Sequence, residues 1–141
     1  MLLKLENNRL EAVIGDDASL DVMTLTNDAP ALGAEVSSAD IVVLDFPTFK
    51  DGRAYTQARQ LREQAGFTGD LRATGDIIRD QILYMVRCGF TSFEVAPAAD
   101  VEGLNAALAE FSDFYQPAAD VAMPVWMRRQ RAGREPLRRF A

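Results

Sequence analysis

Eight charged side chains crowd the middle of the chain: Asp51, Arg53, Arg59, Arg62, Arg72, Asp76, Arg79 and Asp80. Tyr55, Arg59 and Arg62 stand at i, i+4 and i+7, a spacing that places them on one face of a helix. Asp76, Arg79 and Asp80 are one helical turn apart. Arginine suits planar anions, because its guanidinium donates two parallel hydrogen bonds. A small oxyanion such as phosphate or sulfite, or a cofactor carboxylate, fits that chemistry. The expected ligand-binding set is therefore Arg53, Arg59, Arg62, Arg72 and Arg79 with Asp51 and Asp76. The competing reading is a network of structural ion pairs and helix caps. Asp51 and Asp76 put carboxylates beside two helix starts, where backbone N–H groups would otherwise attract an anion. A bound anion would then depend on arginine side chains. For catalysis, Asp45, Asp76 and Asp80 are the candidate bases and Tyr55 the candidate proton donor.

The rest of the composition removes more chemistry than it adds. The chain has no histidine and a single cysteine, Cys88. The usual triads and the usual acid–base residue near neutral pH are absent. One cysteine makes no internal disulfide and no zinc or iron–sulfur cluster. Cys88 reads as a buried thiol. Glycines 52, 66, 69, 75 and 89 form neither GxGxxG nor a Walker loop, so no nucleotide cofactor is expected. Charge is divided unevenly. Residues 1–127 hold nine basic and twenty acidic residues, a net −11; residues 128–141 hold six arginines and one glutamate, a net +5. An acidic body argues against nucleic acid as a partner. The run Trp126-Met127-Arg128-Arg129-Gln130-Arg131 combines residues common at protein interfaces, and is read as a tail that is disordered, folds back on the acidic body or docks on a partner protein. No apolar run is long enough to span a bilayer and no signal peptide opens the chain, so a soluble cytoplasmic protein is expected.

The elements that must position these residues alternate strand and helix. Residues 1–14 suggest a hairpin about Asn7-Asn8. Leu20 to Leu25 alternates with period two, as a strand does. A short helix is expected around Ala31 to Ser37. Ile41-Val42-Val43-Leu44 is continuous and β-branched, the pattern of a strand covered on both faces. Helices are expected over Arg53 to Ala65, capped by Gly66, from Asp76 to Cys88, capped by Gly89, and over Asp100 to Phe111. Strands are expected at Leu71 to Ala73 and Phe90 to Val95. Short loops between them imply right-handed crossovers and a small, mainly parallel sheet. The expected architecture is a single three-layer α/β domain over residues 1–114, with a βαβαβ core at 41–95, an N-terminal hairpin and an extended C-terminal tail over 115–141. In such sheets ligands bind at the carboxyl ends of the strands. Those ends carry Asp45, Arg72 to Asp76, and Glu94-Val95.

Three runs in this core also carry a family resemblance. They are Asp45-Phe46-Pro47-x-Phe49-x-Asp51-Gly52-Arg53-x-Tyr55-Thr56-x-Ala58-Arg59-x-Leu61-Arg62, Gly66-Phe67-x-Gly69-Asp70-Leu71-Arg72-Ala73-x-Gly75-Asp76-x-x-x-Asp80-Gln81, and Arg87-x-Gly89-Phe90. Together they resemble a bacterial family of unknown function that is often labelled an oxidoreductase of sulfite reduction. Its genes tend to lie beside those for assimilatory sulfite reductase. The match is specific over residues 41–95 and looser to Ala119. The resemblance implies an accessory role in sulfur assimilation, with sulfite reductase or another protein of that pathway as partner and a small anion as ligand. It implies no catalytic residues. A small enzyme acting on an anionic metabolite through a carboxylate base, and a purely structural subunit, stand as alternatives.

Overall fold

A computed structural model describes residues 1–15, 17–31, 36–120 and 122–132. The fold is α/β, built on one six-stranded mixed sheet. Its strands are β1 (Leu2–Glu6), β2 (Arg9–Val13), β3 (Val22–Leu25), β4 (Ile41–Phe46), β5 (Asp70–Gly75) and β6 (Ser92–Glu94), in the order β2-β1-β6-β5-β4-β3. Strands β3 to β6 run parallel, and the β1–β2 hairpin adds antiparallel at β6. The helices are α1 (Arg53–Arg59), α2 (Ile82–Cys88), α3 (Val101–Leu108) and α4 (Val125–Ala132).

The hairpin turns at Asn7 and Asn8, both at positive φ (47° and 63°). Asparagine tolerates that conformation, and a two-residue turn with both φ positive matches the twist of the strands it joins. Helix α1 continues through a π-helical turn at Gln60–Gln64, and Gly66 follows at φ 69°. The second helix starts later than Asp76. Gly75 has φ 94°, Ile78 is extended, and a 3₁₀ turn at Arg79–Gln81 leads into α2. Asp76 does not cap this helix, because its carboxylate accepts the Phe49 N–H across the edge at 2.9 Å. The helix expected around Ala31 to Ser37 leaves a 3₁₀ turn at Val36–Ser38; residues 32–35 lie outside the described residues. The tail is not simply extended. It contains α4, whose Val125 N–H donates to the Phe114 carbonyl at 2.7 Å. Residues 133–141 lie outside the described residues.

Layering departs from the three-layer expectation in one respect. Each strand from β3 to β6 is laid beside its predecessor in the same direction. Right-handed crossovers then leave every connecting helix on one face. That face carries Leu3, Leu10, Phe93, Leu71, Ala73, Val42, Leu44 and Phe46, all buried in one core with Ala58 and Leu61 of the first helical run, Ile82 and Met85 of α2, and Leu104 and Leu108 of α3. Burying each large side chain there contributes about 1.5–3 kcal/mol. Phe46 anchors the centre, edge-on to Tyr55 at 5.0 Å and tilted against Phe90 at 5.6 Å. The strand register places the alternate residues Lys4, Ser92, Arg72, Val43 and Thr24 in one row across the other face, with Asp70, Thr74 and Asp45 beside them. None of α1, α2 and α3 covers that face.

Candidate functional site

The charged set expected from the sequence is divided among separate places. At the carboxyl ends of the strands, Asp51 receives the Arg53 side chain as a fork, Nε at 3.1 Å and Nη2 at 2.8 Å, and the Asn27 amide at 2.6 Å. The Arg53 side chain, then its backbone N–H, hold the Asp51 carboxyl down at about 2. Thr74 Oγ1 lies 3.5 Å from Asp45 Oδ1. Tyr55 Oη donates to Gln81 Oε1 at 3.0 Å, and Gln81 Nε2 donates to the Phe49 carbonyl at 3.2 Å. Burial pushes the Tyr55 phenol up to about 12, which keeps it protonated throughout the physiological range. Asp51, Arg53, Asp76 and Tyr55 therefore tie loops together along one edge, where Asp45 of β4 faces Thr74 of β5.

Arg62 projects from the π-helical turn at the opposite edge. It donates to three backbone carbonyls: Gly89 at 3.0 Å, Phe67 at 3.0 Å and Gly69 at 2.8 Å. Arg72 lies on the sheet face opposite α1, α2 and α3, buried to 7 % exposure. Its Nη1 donates to Asp17 at 2.7 Å, its Nη2 to Asp70 at 3.3 Å, and its Nε to the Ser92 hydroxyl at 3.3 Å. Thr91 and Ser92 hydroxyls hold the same Asp70 carboxylate at 2.8 Å each. The hydrogen bond from Arg72 lowers the Asp17 carboxyl. Arg59 pairs with Glu63 at 3.2 Å on the exposed side of the helix. Arg79 and Asp80 are exposed, and neither has an ion pair among the described residues. The seven proposed ligand-binding residues thus do not converge on one point. Arg62 and Arg72 are occupied by protein acceptors.

What does converge is aromatic. A groove of about 430 Å³ runs between α2, α3 and residues 111–118. Tyr84, Phe111, Phe114 and Tyr115 line it, with Arg59, Asp80 and Glu110 among its charged residues. Tyr84, Phe111 and Tyr115 are 53 %, 60 % and 75 % exposed. Cys88, a lining residue, is buried, and burial pushes its thiol up, away from the reactive thiolate. Arg87 fixes one wall. Its guanidinium lies over the Phe114 ring at 4.0 Å, pairs with Asp120 at 2.7 Å and donates to the Gln116 carbonyl. Burial raises the Asp120 carboxyl even so; desolvation outweighs the attraction of Arg87. A second cavity of about 830 Å³ is lined in part by Arg62, Phe67, Phe90 and Asp120, and shares Phe111 and Phe114 with the groove.

The groove was not legible as a site. Phe111 has the spacing of a packing residue, but α3 ends at Leu108 and leaves it exposed. Arg87 stands in a run that carries the family resemblance and Tyr115 in its looser stretch before Ala119, and that was their one signal. Among the described residues no group of three or more histidine, cysteine, aspartate or glutamate side chains could hold a metal ion, and no helix is long and apolar enough to cross a membrane. No curated protein and no solved structure matches the chain. A family profile does match, over residues 22–126, a span that takes in every groove residue named above. The chain belongs to the family described as bacterial protein of unknown function (DUF934).

Proposed function

We propose that this chain is a docking partner in assimilatory sulfite reduction, and that it engages the reductase through the groove between α2, α3 and residues 111–118. The link to sulfite rests on the sequence resemblance. The mode of action rests on one observation: three large aromatic side chains stand exposed around a single groove, while the arginines offered for anion capture do not converge on one point. Exposed tyrosine and phenylalanine in a concave setting are the usual anchors of protein interfaces. A binding role also suits a chain whose Tyr55 phenol stays protonated and whose thiol is buried. The test is affinity purification of the tagged chain from cells grown on sulfate. Sulfite reductase is expected with the wild type and is expected to be lost with a Tyr84→Ser, Tyr115→Ser double variant whose melting temperature is unchanged. Deleting the gene is expected to slow growth on sulfate and not on cysteine. Absence of every component of the pathway from the eluate, with unchanged growth, would overturn the proposal.

A further inference from the structure

We infer that the groove accepts a basic segment of its partner: a lysine or arginine against Asp80 and Glu110, next to an apolar side chain held among the aromatic rings. This rests on the docking role proposed above and adds the chemistry of the occupant. The argument begins with the charges. The two arginines lining the groove are already neutralised, Arg59 by Glu63 at 3.2 Å and Arg87 by Asp120 at 2.7 Å. The two carboxylates lining it, Asp80 and Glu110, have no ion pair among the described residues. The groove therefore presents unmatched negative charge, on a body whose residues 1–127 carry a net −11. Aromatic faces add to this, since the ring quadrupole attracts cations.

The same neighbourhood already uses these contacts internally. Arg87 stacks on Phe114, and Arg128 of α4 pairs with Asp113. Tyr84, Phe111 and Tyr115 offer further rings, and Asp80 and Glu110 further carboxylates, to a cation from outside. The volume, about 430 Å³, lies within the usual range of ligand pockets. An acidic partner would meet like charge here, which is how an interface rejects wrong partners.

The experiment uses the full chain and two probe peptides of matched apolar content, acetyl-Arg-Leu-Phe-Arg-amide and acetyl-Glu-Leu-Phe-Glu-amide. Titration is followed by the chemical shifts of Tyr84 and Tyr115 ring signals. The basic peptide is expected to bind about tenfold more tightly, the scale that two exposed ion pairs supply. An Asp80→Asn, Glu110→Gln double variant, which removes exposed charge and keeps shape, is expected to erase the preference. Equal binding of the two peptides, or no shift at either tyrosine, would overturn the proposal. So would self-association of the chain that the groove variants abolish, because a second copy would then be the occupant. Peptide binding seen only after removal of residues 133–141 would overturn it in favour of this chain's own segment. The two levels fail separately. If the reductase is recovered equally with the double carboxylate variant and lost with the tyrosine variant, docking stands and the basic occupant falls. If the basic peptide binds as expected and no reductase is ever recovered, the groove chemistry stands and the sulfite role falls.

Discussion

Arg53 and Arg72 look interchangeable in the sequence, yet their surroundings give them different tasks. Arg53 forks onto Asp51 at the surface, with its side chain 60 % exposed, so water and salt screen the pair. Arg72 is enclosed by Asp17, Asp70 and Ser92. Truncating it takes the counter-charge from Asp17 and Asp70, although Asp70 keeps the Thr91 and Ser92 hydroxyls. Arg72→Ala is therefore expected to lower unfolding free energy by about 3 kcal/mol, and Arg53→Ala by far less. Urea titration of both variants checks this, and equal losses would contradict the burial argument. Part of the distinction was readable. Asp70, Arg72 and Thr74 occupy alternate positions of one strand, and a strand covered on both faces is apolar at both registers. That alternation marks a polar sheet face and separates Arg72 from the helices that carry Arg59 and Arg62. The partner Asp17 was not readable, because it arrives from 55 positions away and nothing local to Arg72 announces it.

Elements were more legible than their joins. The hairpin, the strand–helix alternation and the glycine stops at Gly66 and Gly89 follow from local preference, which needs no tertiary partner. Helix starts were less secure because a carboxylate near a start has competing uses. Asp100 caps α3 by accepting the Gly103 N–H at 3.0 Å, whereas Asp76 serves the Phe49 N–H of a different loop. A further join was missed altogether. Asn105, buried in α3, accepts the Leu10 N–H at 2.7 Å and donates to the Leu10 carbonyl at 3.0 Å. Its side-chain amide thereby imitates a neighbouring strand and fastens α3 to β2, although an asparagine in a helical stretch ordinarily reads as solvent-facing. Asn105→Ala leaves both Leu10 backbone groups unpaired in a buried place, at a cost of about 2–4 kcal/mol. The expected sign is local: the Leu10 amide exchanges with solvent far faster than the Leu3 amide of the adjacent strand. Equal acceleration at both positions would mean that the amide bridge does not join these elements.

At the scale of the molecule, the sheet and its helices form one body, and residues 111–120 are a strap fastened across it by Arg87. The strap lines both the groove and the larger cavity, so its attachment governs both. Arg87 supplies the stacking on Phe114, the hydrogen bond to Gln116 and the ion pair to Asp120, all from one side chain. Arg87→Ala removes these together and leaves Asp120 in its partly buried position without a counter-charge. That loss carries a pH signature. The Asp120 carboxyl is already raised above 3.8 by burial, and removing Arg87 takes away an attraction that had limited the rise. A raised carboxyl means that the folded state holds its proton more firmly than the unfolded state. Stability from that proton is present below the unfolded value and is lost as pH rises through the folded one. The deficit of Arg87→Ala relative to the wild type is thus expected to be largest at neutral pH, about 3 kcal/mol, and to shrink as pH falls toward 4. Cleavage by a nonspecific protease within residues 111–120 is expected to follow the same trend. A deficit that is constant from pH 7 to pH 4 would show that stacking and the Gln116 bond, not the ion pair, hold the strap in place.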